Sequence, residues 1–311
     1  TKTDNNGNKL IDDRAITVNA NISGIPSIAL DIASNINIVW EDNRNGNPEI
    51  YYKKINLSGA TIVNDTRITT DYAESRNPKI AVDNLQRAHI VFQDNRNSGR
   101  WQIYYEKLNV NGASLVNEFV VDNPLLCTPA STCLNYARNP SISLDNQGNV
   151  HLTYEFMYYF YYFPPYATHG YVYTLYYKKL DNNGNSITGD ISLNSQQFGA
   201  IQPVDYTNIF DVKSKPDNQG NLYILRKNGL NITLSFLNGN PNLPYYDHSY
   251  GYITNLWKIN SSNGVSWVRP ISSLDRYGYS FTTDNQNNIH IIWSDPRNGQ
   301  EEIYYKKIDN N

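Results

Sequence analysis

Residues 26–56 read PSIALDIASNINIVWEDNRNGNPEIYYKKIN, and closely similar segments occupy residues 78–109 and 280–309. Those two segments read PKIAVDNLQRAHIVFQDNRNSGRWQIYYEKLN and SFTTDNQNNIHIIWSDPRNGQEEIYYKKID. Two degenerate copies lie between them and contain PSISLDNQGNVHLTYE and DVKSKPDNQGNLYILRK. Self-similarity at this period indicates a chain built from five copies of one supersecondary unit.

The spacing of one aspartate predicts how the five units fill the chain. It follows the first strand of each unit at intervals of 52, 62, 72 and 67 residues, as Asp31, Asp83, Asp145, Asp217 and Asp284. Counting from the last of these through the C-terminus and on from Thr1 to the first gives a matching interval of 58 residues. We therefore expect one domain over 1–311, with units at about 14–69, 70–121, 122–192, 193–270, and 271–311 joined by 1–13.

Within a unit the pattern predicts four antiparallel strands. In the first unit they are expected at Ser27–Leu30, Ile36–Glu41, Glu49–Ile55 and about Thr61–Ile68. Apolar and polar residues alternate along them, and Asn-Gly or Ser-Gly pairs close the third hairpin. Four-stranded units repeated five times predict an all-β, five-bladed β-propeller, since a solenoid would need distinct capping repeats.

The two ends of the chain together supply one complete unit. The fifth unit stops after its third strand, Glu302–Asp309, and the missing Asn-Gly turn and fourth strand match the segment 4–13. We therefore expect the N-terminal strand, around Lys9–Ile16, to pair with Glu302–Asp309 and close the last blade. Such a closed ring leaves no open sheet edge.

The motif WEDNRNGNPEIYY at residues 40–52 resembles the repeat of extracellular propellers in archaeal surface proteins and secreted bacterial proteins. These are loosely related to the TolB-like and sialidase-like propellers. The resemblance covers nearly the whole chain and implies architecture rather than activity, because such propellers serve many roles. The sialidase Asp-box, Ser-X-Asp-X-Gly-X-Thr-Trp, is absent, which argues against sialidase activity.

Composition and charge limit the classes of partner. The net charge of -3 gives no reason to expect nucleic acid, and no apolar run approaches the ~18 residues that span a bilayer. The 26 tyrosines favour strands. The polar first residues indicate that any signal peptide has been removed, and we expect an extracellular or cell-surface location.

Cysteines and sequons agree with secretion. Cys127 and Cys133 enclose five residues including a proline, which favours a small disulfide-closed loop over two free thiols. Candidate N-glycosylation sites are Asn21, Asn56, Asn64, Asn231 and Asn260. Two cysteines make a poor zinc site, and the Asn-rich loops lack calcium-ligand spacing, so neither metal nor cofactor is expected.

The most prominent polar motif, Asp-X-Arg, follows the second strand at Asp42/Arg44, Asp94/Arg96 and Asp295/Arg297. It is either a ring of ligand contacts or a loop held by arginine on a carboxylate; repetition favours the second. We interpret the Asp31 series as turn-formers in the same way.

Function is expected where the repeat is interrupted. Two neighbouring units carry tyrosine-rich insertions between second and third strands, at 156–173 and 228–252. They form either a contact surface for protein, self-assembly or sugar rings, or a stiff self-packed hairpin. The candidate anchors are Tyr158, Tyr159, Tyr161, Tyr162, Tyr166, Tyr245, Tyr246 and Tyr250.

A second irregular set precedes the inner strands. Arg76, Arg138 and Arg276 form either an anion site at the channel mouth or, the interpretation we favour, structural ion pairs with nearby acidic residues. A glycosidase needs two or three placed carboxylates, and only Glu155 and Asp211 are loose candidates. The sequence thus favours a non-enzymatic surface, adhesion or subunit-assembly module, whose partner is a protein or glycan at a cell surface or a further copy of the chain. A carbohydrate-binding lectin and a sialidase-like glycoside hydrolase are the alternatives.

Overall fold

The computed structural model describes residues 2–3, 6–11, 13, 15–17, 22–122, 135–162, 168–193, 210–217, 219–230, 251–272, 279–295, 297–300 and 302–309. Every regular element in this part of the chain is a β-strand, so the expected all-β class is confirmed. Correspondingly, no helix that could cross a membrane occurs among these residues. Contacts divide the chain into two compact units, Thr1–Val121 and Asp122–Asn311.

The first unit contains two four-stranded antiparallel sheets. Sheet 1 comprises β3 (Ser23–Leu30), β4 (Ile36–Asp42), β5 (Glu49–Ile55) and β6 (Thr61–Arg67). Sheet 2 comprises β7 (Ser75–Val82), β8 (Ala88–Asn97), β9 (Arg100–Leu108) and β10 (Ser114–Val120). A short pair, β1 (Lys2–Thr3) and β2 (Lys9–Ile11), precedes them.

The second unit contains three sheets. Sheet 3 comprises β11 (Asn135–Leu144), β12 (Val150–Tyr162), β13 (Thr168–Leu180) and β14 (Ile191–Ser192). Sheet 4 comprises β15 (Phe210–Pro216), β16 (Leu222–Leu230), β17 (Gly251–Ile259) and β18 (Val265–Ser272). Sheet 5 comprises β19 (Tyr279–Thr283), β20 (Ile289–Asp295) and β21 (Glu302–Ile308).

Apolar layers form between successive sheets within each unit. Sheets 1 and 2 enclose Val39, Ile50, Tyr52, Ile90 and Phe92. Sheets 3 and 4 enclose Leu175, Tyr177 and Leu222, and sheets 4 and 5 enclose a third cluster around Tyr223 and Trp293. Because both faces are covered, the second and third strands of sheet 1 are buried at nearly every position, including the polar residues Glu49 and Lys54.

The turns follow the predicted chemistry. Each Asp of the Asp31 series accepts a backbone N–H four residues on, at 2.8–2.9 Å. The glycines at the predicted hairpin turns, Gly59, Gly112 and Gly184, all have positive φ. The interpretation of these residues as turn-formers is therefore confirmed.

Candidate functional site

The Asp-X-Arg motif holds the end of the β4–β5 hairpin. Arg44 Nη2 lies 2.6 Å from Asp42 Oδ2, Arg44 Nη1 lies 3.1 Å from Asp65, and the guanidinium stacks 4.5 Å over Tyr51. Burial favours the neutral acid, but the hydrogen bonds from Arg44 and Trp40 outweigh it and lower the pKa of Asp42 to about 2. The side chains of this motif bind one another, as the interpretation of a held loop requires.

The same arrangement recurs in sheet 2 with one more acid. Arg96 binds Asp94 at 2.7 Å and Asp71 at 2.8 Å, and it also binds Glu118. Its guanidinium lies 4.4 Å over Tyr104. In sheet 5, Arg297 lies 4.0 Å over Tyr304.

A β-bulge interrupts the inner strand at the same end of sheets 1, 2 and 3. The residue before proline has positive φ at Ile25, Asn77 and Asn139, and the register shifts there. Asparagine tolerates this left-handed conformation better than isoleucine does. Bulges redirect neighbouring side chains and are frequent beside active sites. In sheets 2 and 3 the residue just before the bulge is an arginine, Arg76 or Arg138.

In sheet 2 the bulge arginine is paired. Arg76 lies 2.9 Å from Glu74 and 3.5 Å from Glu41, and 40% of its side chain is exposed. The Asn77 N–H donates to Glu41 Oε1 at 2.5 Å. The favoured interpretation of Arg76 as a structural ion pair agrees with these contacts.

In sheet 3 the bulge arginine has a different environment. Arg138 lies 5.2 Å from the centroid of the Tyr136 ring, and no carboxylate forms an ion pair with it among the described residues. Its partner in the strand register is the buried Glu155, whose Oε2 accepts a 3.0 Å hydrogen bond from Asn139. A half-buried cation, a tyrosine and a buried carboxyl group therefore occupy one bulge. This combination could bind an anionic group and place a carboxyl group beside it.

The other predicted site residues are only partly located. The backbone of Tyr158, Tyr159, Tyr161 and Tyr162 belongs to β12. Asn56 and Asn260 accept backbone hydrogen bonds in turns, and Asn64 is exposed on β6. Outside the described residues, or with side chains outside them, lie Tyr166, Tyr245, Tyr246, Tyr250, Arg276, Asp211, Cys127, Cys133, Asn21 and Asn231.

Three histidines that lie far apart in the sequence occupy one repeated position. His89, His151 and His290 each lie 2.8–3.0 Å from a tyrosine hydroxyl and 3.0–3.2 Å from the aspartate of the turn. Burial lowers the pKa of His89 and His151 despite these aspartates, which favours the neutral ring. Recurrence in three sheets identifies the Asp-His-Tyr set as part of the repeat, and the aspartate six residues before each histidine was the sequence signal for it.

No family model matches this sequence, and no curated protein matches it. Among solved structures, an ulvan lyase of polysaccharide lyase family PL25 has a TM-score of 0.55 at 10% identity, over 91% of this chain and 66% of its own. The polysaccharide lyase Uly1 has a TM-score of 0.50 at 11% identity, over 92% of this chain and 58% of its own. An ulvan lyase bound to a GlcA-Rha3S saccharide matches with a TM-score of 0.55 at 11% identity. At such identity the likeness is one of fold, and this chain spans about three fifths to two thirds of those chains.

These matches correct the functional expectation. The expected non-enzymatic adhesion or assembly module was wrong, because the solved structures that resemble this fold with TM-scores of 0.50–0.55 are polysaccharide lyases. The missing Asp-box and the missing set of carboxylates favoured the non-enzymatic interpretation. Arg138, Tyr136 and Glu155 are brought together by strand register at a bulge, which their spacing in the sequence does not reveal. The resemblance to surface-protein repeats stays a prediction.

Proposed function

We propose that this protein is a carbohydrate-active enzyme that cleaves an acidic polysaccharide at the bulge of sheet 3. The observation that carries the proposal is Arg138, a cation beside Tyr136 and opposite the buried Glu155. A guanidinium is suited to a sugar carboxylate or sulfate, and a tyrosine beside it to a sugar ring. The fold likeness to ulvan lyases, one of them bound to a glucuronate-containing saccharide, supports the same substrate class.

In this proposal each residue has a stated role. Arg138 binds and neutralises the acidic group of the sugar, which in an elimination would also make the adjacent C–H more acidic. Glu155 is the proton-transferring group, because residues opposite each other in a ladder have Cβ atoms about 5 Å apart. Asn139 orients Glu155 through the 3.0 Å hydrogen bond. Hydrolysis and elimination both use such a group.

The test uses ulvan, alginate and neutral arabinan as substrates and measures cleavage by the appearance of new reducing ends. Ultraviolet absorbance of an unsaturated product separates elimination from hydrolysis. We expect cleavage of an acidic polymer and at least a roughly 100-fold lower kcat/KM for Glu155→Gln. Arg76→Ala is the matched control, since Arg76 is already paired with Glu41 and Glu74. Binding without turnover would indicate the lectin alternative instead.

The expected pairing of Lys9–Ile16 with Glu302–Asp309 is not seen among the described residues, where β2 pairs with β1 and sheet 5 has three strands. We also propose that the five sheets are blades of one ring over 1–311, closed when the N-terminal strand adds to β21. Sheet 5 carries exposed residues at positions that are buried in the other sheets. Tyr305 is 60% exposed against 1% for Tyr52, and Ile303 is 73% exposed against 0% for Ile50. On sheet 1, Ile28 is likewise exposed although its counterpart Ile80 is buried. Large exposed apolar patches on both terminal sheets support a mutual contact.

Residue Ile303 tests the ring. If its face is covered by sheet 1, Ile303→Asp should destabilise the protein by several kcal/mol, as we also expect of Ile50→Asp, because a charge would enter a core. Deleting residues 1–14 should also lower the melting temperature. An Ile303→Asp variant as stable as the wild type would exclude ring closure through this face.

Extracellular location, glycosylation and the Cys127–Cys133 disulfide remain part of the proposal. A polysaccharide-cleaving enzyme meets its substrate outside the cell, where disulfides persist. Peptide mapping of unreduced protein from its native source tests the disulfide.

A further inference from the structure

The first strands of sheets 3 and 4 meet through small hydroxyl side chains. Ser141 Oγ of β11 lies 3.2 Å from Ser214 Oγ of β15, and Ser143 Oγ lies 3.4 Å from the same atom. Ser141 and Ser143 are both buried. Because the facing side chains are short, the two strands approach closely and the contact is closed to a ligand.

The first strands of sheets 4 and 5 meet through two lysines instead. Successive side chains of a strand point to opposite faces, so Lys213 and Lys215 lie on the face of β15 opposite to Ser214. Lys215 Nζ donates a 2.8 Å hydrogen bond to Thr282 Oγ1 of β19. Lys213 Nζ lies 5.7 Å from the centroid of the Tyr279 ring. Both lysines therefore lie between β15 and β19.

Lys215 is an exception in the repeat. It precedes the turn aspartate of its unit by two residues, and the other four units have an alanine, a serine or a threonine at this position. Those residues are Ala29, Ala81, Ser143 and Thr282. The strand contacts of the repeat are thus made with small side chains, and a long cation here is not needed for the fold.

The lysines are also open to solvent. Lys215 and Thr282 are exposed, and Lys213 is half-buried. No carboxylate forms an ion pair with Lys215 in the part of the chain that the structure describes, whereas Lys178 and Lys179 of sheet 3 each lie 3.2–3.3 Å from an aspartate. An ammonium group has three N–H donors, so Lys215 keeps donors for an anion beyond its bond to the threonine.

We propose that Lys213, Lys215 and Thr282, which we name the lysine site, bind a carboxylate or sulfate group of the polysaccharide. This inference rests on the proposed function and adds a second anionic subsite to it. Lys215 and Thr282 donate hydrogen bonds to the anion, and Lys213 adds positive charge beside them. Arg138 lies on β11 and the lysine site on the adjacent β15 and β19, so a polymer that carries acidic groups on several sugars can contact both.

The experiment measures binding without requiring turnover. Affinity electrophoresis compares mobility in native gels containing alginate, dextran sulfate or neutral dextran with mobility in a gel without polymer. We expect Lys215→Gln to lower the affinity for alginate or dextran sulfate roughly tenfold, as the loss of one hydrogen-bonded charge does. Lys215→Arg keeps the charge and should stay within about threefold of the wild type.

The matched control removes the same charge elsewhere in the same sheet. Lys306 is an exposed lysine on β21, which β20 separates from β19. Lys306→Gln should leave the affinity within about twofold of the wild type, because its charge lies away from the lysine site. Thr282→Ala changes a second exposed residue and should weaken binding in the same direction as Lys215→Gln, so it serves if that variant does not fold.

The outcomes separate this inference from the proposed function. Equal losses in Lys215→Gln and Lys306→Gln would show a general effect of charge and overturn the lysine site, as would no loss in Lys215→Gln or a wild-type protein that binds neither acidic polymer. Binding that depends on Lys215 without cleavage of any polysaccharide supports the lysine site and refutes the enzyme. Cleavage that requires Glu155, with affinity and kcat/KM unchanged in Lys215→Gln, supports the enzyme and refutes the lysine site.

Discussion

The hairpin between the second and third strands is short in sheet 2 and long in sheet 3. In sheet 2, Asp94 follows Phe92 by two residues and binds Arg96, which lies over Tyr104 and also binds Glu118. In sheet 3, Phe156 takes the place of the aspartate and contacts Tyr176 edge-on at 5.9 Å. Asp190, the counterpart of Glu118, is bound instead by Tyr154 at 2.6 Å and Lys178 at 3.3 Å.

The exchange has a physical consequence. Where the arginine binds the aspartate of its own motif, the hairpin turns shortly afterwards, at Gly46 in sheet 1 and at Gly99 in sheet 2. In sheet 3 a phenylalanine takes the position of the aspartate, and β12 continues through Tyr162. The ion pairs of the motif therefore accompany the short hairpins of sheets 1 and 2, and their loss accompanies the long hairpin of sheet 3.

Arg96→Ala should have the largest effect on stability. It leaves Asp94, Asp71 and Glu118 without their common cation, and one-sided removal from a buried ion pair costs about 3–5 kcal/mol. Urea denaturation measures this cost. Arg76→Ala, which removes a more exposed arginine, should cost less than about 1 kcal/mol. Equal costs at the two positions would contradict the structural role of the motif.

Glu106 should make stability depend on pH. In sheet 2 it occupies the position that Lys53 has in sheet 1. Lys53 binds Asp65 at 2.9 Å, whereas the residue of sheet 2 that corresponds to Asp65 is the acidic Glu118. Burial, the largest cause, raises the pKa of Glu106 from 4.5 to about 7. The charge of Glu118 raises this pKa further, whereas the hydrogen bond with Ser114 and the charge of Arg96 lower it. Because the folded-state pKa is the higher one, ionisation destabilises the protein progressively between about pH 4.5 and pH 7.

The expected size follows from the shift. Above pH 7 the ionised Glu106 should cost up to about 3 kcal/mol, since one pKa unit corresponds to ~1.4 kcal/mol. Glu106→Gln should therefore raise the free energy of unfolding at pH 8 and leave it nearly unchanged at pH 4. Lys53→Gln, at the same register position in sheet 1, is the control. If the free energy of unfolding has the same pH dependence in Glu106→Gln and in the wild type, the Glu106 carboxyl group is in solvent and not buried.

Shortening the extended hairpin should have the smallest effect on stability. Replacing residues 159–171 with an Asn-Gly turn leaves Phe156 and Met157, which are buried, in place. Since the removed pairs lie beyond this core, the free energy of unfolding should change by less than about 1 kcal/mol. Thermal unfolding measures it. A loss comparable with that of Arg96→Ala would show that the ribbon is an extension of the core.

Much of the fold was legible in the sequence because the information is local. The strands predicted in the first unit end within one residue of those observed, and only β3 begins four residues early, at Ser23. The observed strand continues across the bulge at Ile25, which has positive φ. The apolar pattern does not reveal a bulge, so the predicted strand began only after it. The candidate site was less legible. Arg76 and Arg138 occur in the same Arg-Asn-Pro motif, yet one is paired and the other lies over Tyr136.

By itself the sequence determined the repeat, the all-β class, the turn chemistry of the Asp31 series and the place of the insertions. Each depends on residue type at a fixed spacing along the chain, which local hydrogen bonds and alternating burial translate directly into strands and turns. Only the tertiary structure decided which histidine binds which tyrosine, that Glu106 is buried, and that Arg138, Tyr136 and Glu155 share a bulge. Those outcomes depend on register and burial among residues far apart in sequence, because the environment of a charge is set by its neighbours in space.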